Sequence, residues 1–388
     1  MNGATIINKE KILLLSGYDA ASHRFWREQI TSGLPQYEWT QVVLADRFFS
    51  WRARGNALTF AFEHQDTLQK YYDCIIATSM VDLTNLRGFV PHLANIPTLV
   101  YFHENQFDYP NHAFNKMDQN IVNLQLTSIY NSLSANKVLF NSNYNRATFF
   151  SGANALLNKL PDGIPKGLLD KVEKNAQVLS VPIEDCIEYD VEKAHLPKNK
   201  PIQVVWNHRW EYDKQPEVLF NALELLKADG IDFKLHVLGQ SFRKIPDCFS
   251  SAKELFCEEI ETWGYQPREK YLQILAESDL VISTALHDFQ GLSMLEAMAR
   301  GCLPVAPNRV AYPEYISQEH LYSVSETIDE SQALYQKLVE LIGKFNNNER
   351  GLENSNPANN KITPIESYFQ SNLIAEYHSQ IDELIRNN

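Results

Sequence analysis

His287-Asp-Phe-Gln-Gly-Leu-Ser-Met-Leu-Glu-Ala-Met-Ala-Arg-Gly-Cys-Leu-Pro-Val-Ala-Pro-Asn308 is the stretch on which the reading of the fold turns. It follows a short apolar run at 280–283, read as a buried strand, and passes through Gly291 into Leu292, Leu295, Met298 and Ala299 at helical spacing. After Gly301 the run at 303–306 reads as the next strand. Residues 280–306 are thus one strand-helix-strand crossover, and such crossovers build parallel sheets. Ligands on parallel sheets sit at the loop between strand and helix. Amides at the helix start, Gly291, Leu292 and Ser293, lie at the positive end of the helix dipole and favour an anion, and Gly291 lets a phosphate come close to the backbone. Asp288 before the helix and Glu296 one turn inside it suit gripping hydroxyls on either side of that phosphate. The plainer alternative makes Glu296 a solvated helix residue and Asp288 a turn former.

A chain of 388 residues is too long for one ordinary core and implies two domains. Its 44% hydrophobic and 21% charged content are those of a globular protein. A net charge of −13 argues against non-specific nucleic-acid binding, which rests on Lys and Arg neutralising phosphates, but permits a local basic face. The five cysteines, Cys74, Cys186, Cys248, Cys257 and Cys302, show neither a C-x-x-C pair nor zinc-ligand spacing, which implies free thiols in a reducing compartment. The apolar run at 11–15 is too short for a signal peptide and no stretch is long enough to span a bilayer, so the expected setting is the cytoplasm, without membrane contact.

Further apolar runs at 12–15, 40–44, 74–77, 98–102 and 137–140, with helix-like segments between most of them, give an α/β, doubly wound first half that closes with a strand at 178–181. The loop after its first strand holds Ser22 and His23 but no G-x-G-x-x-G. Trp51, Arg52 and Arg54 put two cations beside an indole, able to stack a base and pair a phosphate, the alternative being a solvated basic turn. His103, Glu104, Asn105 and Gln106 follow a buried strand at its carboxyl end, where α/β sites form. A charged, proline-punctuated linker at 184–201 separates this half from a second strand series beginning at 202. The loop after that strand carries Arg209 and Lys214 just before a helix at 217–227; two cations at a helix start suit a diphosphate, the alternative being a surface cluster paired with Glu211 and Asp213. The segment 346–360 is polar and expected to be mobile, and 365–385 reads as a closing amphipathic helix.

The acid-x7-acid spacing of Asp288 and Glu296 resembles the E-x7-E signature of family 4 retaining glycosyltransferases. A pair of α/β domains, with cations after the first strand of the C-terminal one, resembles the GT-B fold. Ser22-His23, Trp51-Arg-Ala-Arg54, Tyr101-Phe-His-Glu-Asn-Gln106, Trp206-Asn-His-Arg-Trp-Glu211 with Asp213-Lys214, Gly301-Cys302, Pro307-Asn-Arg309 and Tyr312-Pro-Glu314 narrow the likeness. In order and spacing they resemble the tRNA-queuosine alpha-mannosyltransferases. That resemblance implies two Rossmann-like domains facing a cleft: an acceptor-side domain at 1–183, a nucleotide-sugar-binding domain at 202–364, and a C-terminal helix at 365–388 returning to the first domain. It also implies retaining transfer of mannose from GDP-mannose, a co-substrate rather than a bound cofactor, to queuosine in the anticodon of an aspartate tRNA. His103, Asp288, Arg209 and Lys214 would be catalytic, with Glu296, Gly291, Leu292 and Ser293 binding the donor. Ser22, His23, Trp51, Arg52, Arg54, Glu104, Asn105 and Gln106 would face the acceptor or its tRNA, and no metal would be needed. Two departures stand out: Asp288 replaces the usual Glu, and Ala20-Ala21 stand where relatives carry Gly-Gly. Competing readings keep the transfer but give it a small-molecule or glycan acceptor, or make the chain a non-catalytic sugar-nucleotide-binding or tRNA-binding protein.

Overall fold

The computed structural model describes residues 9–108, 119–186, 201–241, 245–346 and 364–387. The chain forms two compact units, Met1–Pro182 with Gln370–Asn388, and Ile183–Phe369. Most of the expected linker, 187–200, and most of the expected mobile segment, from 347 on, lie outside the described residues.

In the first unit, β1 (Lys11–Ser16), β2 (Glu38–Val43), β3 (Cys74–Thr78), β4 (Thr98–Phe102), β5 (Lys137–Phe140) and β6 (Gln177–Val178) form one parallel sheet in the order β2-β1-β3-β4-β5-β6. β3 and β4 are buried at every residue, as expected of parallel strands covered on both faces, and this is why they read as unbroken apolar runs. On one face Phe102, Phe140, Phe149 and Phe150 stack into the core. β6 is shorter than the strand expected at 178–181, because its neighbour β5 ends at Phe140 and the ladder has no partner beyond it. The stretch 51–54 is not a turn: it lies in the helix Phe49–Glu63, whose buried positions Ala53, Asn56, Ala57 and Phe60 carry it through the basic residues.

The closing helix begins at Gln370 rather than 365. Ile365–Tyr368 is a 3₁₀ turn, and Phe369 is extended and bridges Ile183 within the second unit. The helix Gln370–Arg386 then returns to the first unit, burying Leu373, Tyr377, Ile381 and Leu384. Trp26 Nε1 donates to Tyr377 Oη at 3.0 Å, the Tyr377 hydroxyl donates to the Ser180 carbonyl at 2.9 Å, and Tyr37 Oη donates to Asp382 at 2.9 Å.

In the second unit, β7 (Ile202–Asn207), β8 (Phe233–Leu238), β9 (Ile260–Gly264), β10 (Leu280–Ile282), β11 (Leu303–Pro307) and β12 (Leu321–Tyr322) are again all parallel, in the order β12-β11-β10-β7-β8-β9. The expected crossover is present: β10 and β11 pair in parallel around the helix Leu292–Met298. β9 escaped sequence reading because Ile-Glu-Thr-Trp-Gly at a half-exposed sheet edge carries no apolar run. Each sheet reverses its direction of growth once, between β1 and β3 and between β7 and β10, and ligands of open α/β sheets bind outside the carboxyl ends of strands at such reversals.

Ile381 is wholly buried. Ile381→Ala should lower the unfolding free energy of the first unit by about 2–4 kcal/mol, the usual range for a large-to-small change in a core. Denaturant unfolding of the variant checks this; an unchanged midpoint would show that the helix contributes no packing to the sheet.

Candidate functional site

Asn207 ends β7 and the loop after it runs through His208, Arg209 and the 3₁₀ turn Tyr212–Lys214 to the helix Pro216–Ala228. The loop after β10 runs beside it from Ser283 to Gly291. On its other side, Gly239 at the end of β8 lets the β7 loop come close: a Cβ there would meet the His208 carbonyl oxygen, and its φ of 134° disfavours a side chain. The loops after β7 and β10 are bolted together by two hydrogen bonds onto backbone carbonyls. Thr284 Oγ1 donates to the Lys214 carbonyl at 2.6 Å and Leu286 N to the Asp213 carbonyl at 2.8 Å.

Lys214 is the centre of this edge, only 7% exposed. Its ammonium donates to the His287 carbonyl at 2.6 Å and lies 3.6 Å from both Asp213 and Asp288. Burial alone would raise the Asp288 carboxyl, but the Lys214 ammonium, helped by His208, His287 and the Tyr312 hydroxyl, outweighs it and holds the group below the ordinary carboxylate range. Asp288 Oδ1 accepts from Gly291 N at 2.9 Å, and Oδ2 from the Tyr312 hydroxyl at 3.1 Å. Gly291 has a φ of 78°, and a Cβ there would run into the Tyr315 hydroxyl, so both conformation and space require glycine. Arg209 is half exposed and pairs with Glu211 at 2.5 Å and Asp213 at 3.7 Å, so a diphosphate would have to compete with those carboxylates for its guanidinium.

Glu296 stands on the helix Leu292–Met298, which also carries Leu292 and Ser293 in its first turn. Its carboxylate is held from two sides, Oε1 by Arg268 at 2.6 Å and Oε2 by the Tyr271 hydroxyl at 3.0 Å. Asn207 Nδ2 joins the group by donating to Tyr271 Oη and to the Ser293 carbonyl. Among the described residues these partners fill two of the carboxylate's acceptor directions, and two more could take hydroxyls. Arg268, Tyr271, His208 and Tyr312 were not singled out as site residues in the sequence. Tyr312 could have been, since it lies in Tyr312-Pro-Glu314; Arg268 and Tyr271 sit in an ordinary helix and carry no local signal.

In the first unit, His23 and His103 are brought together. Their rings lie 4.1 Å apart between centroids, and Trp26 and Tyr101 pack against His103. Both imidazoles are buried, and His23 Nδ1 and Nε2 and His103 Nε2 have no hydrogen-bond partner among the described residues. Asn105 is a buried brace: its Nδ2 donates to Asn145 and Thr148, and its Oδ1 accepts from Phe107 N. The Gln106 carbonyl accepts from Gln125, Glu104 offers its carbonyl to Ser79 Oγ, and Ser22 is exposed on the first turn of the helix Ala21–Gly33. Trp51 and Arg54 are exposed on the helix Phe49–Glu63, while Arg52 is half-buried with its Nε enclosed. Among the described residues no group of three or more His, Cys, Asp or Glu could hold a metal ion, and no helix is long and apolar enough to cross a membrane.

Burial drives four of these imidazoles toward neutrality: it pushes His23 and His287 down to about 4, His208 down to about 3, and His103 well below its ordinary value, where the neighbouring His23 adds to the effect. Unfolded, each takes a proton near 6.5. Below that pH the unfolded chain binds more protons than the folded one, so stability is full above about pH 6.5 and falls as pH drops toward 4, by up to about 1.4 kcal/mol per pH unit for each imidazole. The urea midpoint should therefore drop between pH 7 and pH 5, and drop less steeply in His208→Asn; equal slopes in the two proteins would contradict the assignment.

Comparison with known proteins matches residues 11–183 to the family described as tRNA-queuosine alpha-mannosyltransferase N-terminal, and residues 189–356 to glycosyl transferases group 1. A tRNA-queuosine alpha-mannosyltransferase of Drosophila melanogaster is 34% identical over 328 residues, 82% of this chain and 85% of that protein. Among solved structures, Anabaena Alr3699/HepE in complex with UDP and glucose is similar with a TM-score of 0.62 at 13% identity, over 96% of this chain and all of that one. A chain of the GtfA/B complex is similar with a TM-score of 0.58 at 16% identity, over 85% of this chain and 61% of that one, so this chain spans about three fifths of its length. These likenesses place the two parallel-sheet units in the GT-B fold.

Proposed function

The chain belongs to the tRNA-queuosine alpha-mannosyltransferase family and is a glycosyltransferase, and on that premise we propose that it transfers mannose from GDP-mannose to queuosine in the anticodon of an aspartate tRNA, in the cytoplasm, with retained configuration. The observation that most supports a nucleotide-sugar site in the second unit is the enclosed Lys214 ammonium, set between Asp213 and Asp288 at the reversal of the second sheet and beside the sharp turn at Gly291.

In this reading Lys214, Arg209 and the amides of Leu292 and Ser293 hold the diphosphate and stabilise the charge that gathers on it as the glycosidic bond breaks; such preorganised electrostatics is usually the largest catalytic contribution. Asp288 and His103 hold the sugar, and Glu296 takes the ribose hydroxyls with its two remaining acceptor directions. The acceptor hydroxyl attacks the anomeric carbon on the face the diphosphate is leaving, the carbon-oxygen bond to the diphosphate breaks, and a diphosphate oxygen takes the hydroxyl proton. Lys214 and Arg209 supply positive charge where a divalent ion would otherwise serve, so transfer should persist in EDTA. On the acceptor side, His23, Ser22, Trp51, Arg52, Arg54, Glu104, Asn105 and Gln106 remain the residues for the RNA, with Asn105 acting through the braced loop.

The deciding experiment is incubation with GDP-mannose and tRNA that contains or lacks queuosine, followed by nucleoside analysis. Mannosylated queuosine is expected only from the first; transfer to both, or to neither, would refute the proposal. Arg209→Ala should reduce donor kcat/KM by roughly ten-fold or more, the loss of a charge-assisted contact worth about 1.5–3 kcal/mol, without lowering the thermal midpoint. Glu296→Gln should chiefly raise the donor KM, because a ribose contact is made equally in ground and transition states. A loss confined to kcat would instead put Glu296 in the chemistry.

A further inference from the structure

Just ahead of the helix Phe49–Glu63, Phe48 adopts φ 55° and ψ 52°, the left-handed conformation that a bulky side chain ordinarily avoids. Such strain persists only where the surrounding structure over-determines it. Here the ring is 72% exposed, and one helical turn on the Trp51 indole is 56% exposed, its lower face resting on Gly55. The Arg47 guanidinium lies 5.8 Å from the centroid of the Phe48 ring, and Arg54 is exposed beside Trp51. In a chain of net charge −13, the stretch 45–54 holds three arginines against Asp46 alone.

The mounting is rigid. Asn56, fully buried on the same helix, donates to the Met80 carbonyl and accepts from Asp82 N, and the Phe49 ring packs edge-on against Tyr18 in the loop after β1. The platform therefore stands at the carboxyl edge of the first sheet, where ligands of such sheets bind. Two exposed rings a turn apart, flanked by guanidiniums and fixed by a strained backbone, match what unpaired nucleotides require: faces to stack on and cations for the phosphates between them.

We propose that Phe48 and Trp51, with Arg47 and Arg54, form a stacking platform for unpaired nucleotides of the acceptor RNA. The proposal rests on the reading of the acceptor as a tRNA, and binding alone tests it, without donor or queuosine. A fluorescently labelled anticodon stem-loop and a blunt RNA duplex of equal strand length are titrated with each protein at fixed salt. Phe48→Ala and Trp51→Ala should each weaken stem-loop binding by about ten-fold and leave the weaker duplex binding unchanged. Phe48→Tyr and Trp51→Phe should restore it, whereas Phe48→Leu, apolar but without a stacking face, should not. Phe48→Gly should raise the thermal midpoint, by relieving the left-handed strain, while losing RNA affinity.

Unchanged stem-loop affinity in the alanine variants would overturn the platform, as would a lower midpoint for Phe48→Gly. The lower part of this helix face carries Phe62, which touches Phe89. If Phe48→Leu kept full affinity, or if Phe62→Ser lost as much as Phe48→Ala, the face would be an apolar protein-docking surface and the proposal would fall. Mannosyl transfer to queuosine tRNA with neutral Phe48 and Trp51 variants would refute the platform and leave the reaction standing. A stem-loop bound through these rings, with no transfer, would do the reverse.

Discussion

The carboxyl edge of the second sheet depends on one buried charge. An ammonium removed from water is costly unless its surroundings replace the lost hydration. Around Lys214 that replacement comes from the His287 carbonyl and two carboxylates, one from its own loop and one from the loop after β10. Because Asp288 also accepts from Gly291 N and from Tyr312, the charge fixes the sharp turn and thereby the start of the helix that carries Glu296. The Asp213–Lys214–Asp288 group carries a net negative charge, and the half-exposed Arg209 partly offsets it. A dianionic diphosphate arriving here would meet cations whose present partners are carboxylates, so its binding would be an exchange of partners rather than the filling of a vacant cationic site. Such an exchange discriminates by geometry, because only an anion that reaches both cations regains what the carboxylates give up.

Much of this was legible in the sequence because the sheets are parallel and covered. Strands such as Thr98–Phe102 and Leu280–Ile282 must be apolar on both faces, so they read as continuous runs, and the loops at their carboxyl ends then become the places where polar residues carry meaning. His103, Lys214 and Asp288 stand in such loops, with Glu296 one turn into the helix that follows, which is why they were singled out as candidates. What was not legible depends on contacts distant in sequence. Arg268 and Tyr271 hold Glu296 from a helix more than twenty residues away, and nothing in Arg-Glu-Lys-Tyr distinguishes it from an ordinary first turn. Phe48 is invisible for a different reason: side-chain type does not reveal a left-handed backbone.

The break at Phe369 shows how topology can override periodicity. The amphipathic pattern runs without interruption from 365, and local propensity alone would continue one helix through it. Phe369 is instead extended and bridges Ile183, so that Ile365–Tyr368 serves one core while Leu373, Tyr377, Ile381 and Leu384 serve another. A single long helix could bury only one of these sets, and the other would leave several large apolar side chains in water at roughly 1.5–3 kcal/mol each.

Backbone strain is placed with the same economy. The three non-glycine residues with positive φ among those described are Phe48, Gln215 and Val310, and each directly follows a cation: Arg47, Lys214 and Arg309. Each lies beyond the carboxyl end of a parallel strand, β2, β7 or β11, where the chain must turn sharply. The left-handed conformation costs such a residue about 1–2 kcal/mol, and it persists only where the neighbours over-determine it. At Gln215 the neighbours are plain: Lys214 is enclosed, and Pro216 is set for the first turn of a helix. At Val310 they are equally plain, since Arg309 grips Glu330 with two nitrogens and donates to the Ala285 and Thr284 carbonyls, tying the end of β11 to the loop after β10. At Phe48 the geometry is the same but the side chain points into solvent. The backbone there is held by the helix and by Asn56, and the ring it presents contributes little to the fold. Two of the three strained turns tighten loops onto their own sheet, and the third caps a helix and turns outward the ring proposed to stack on RNA.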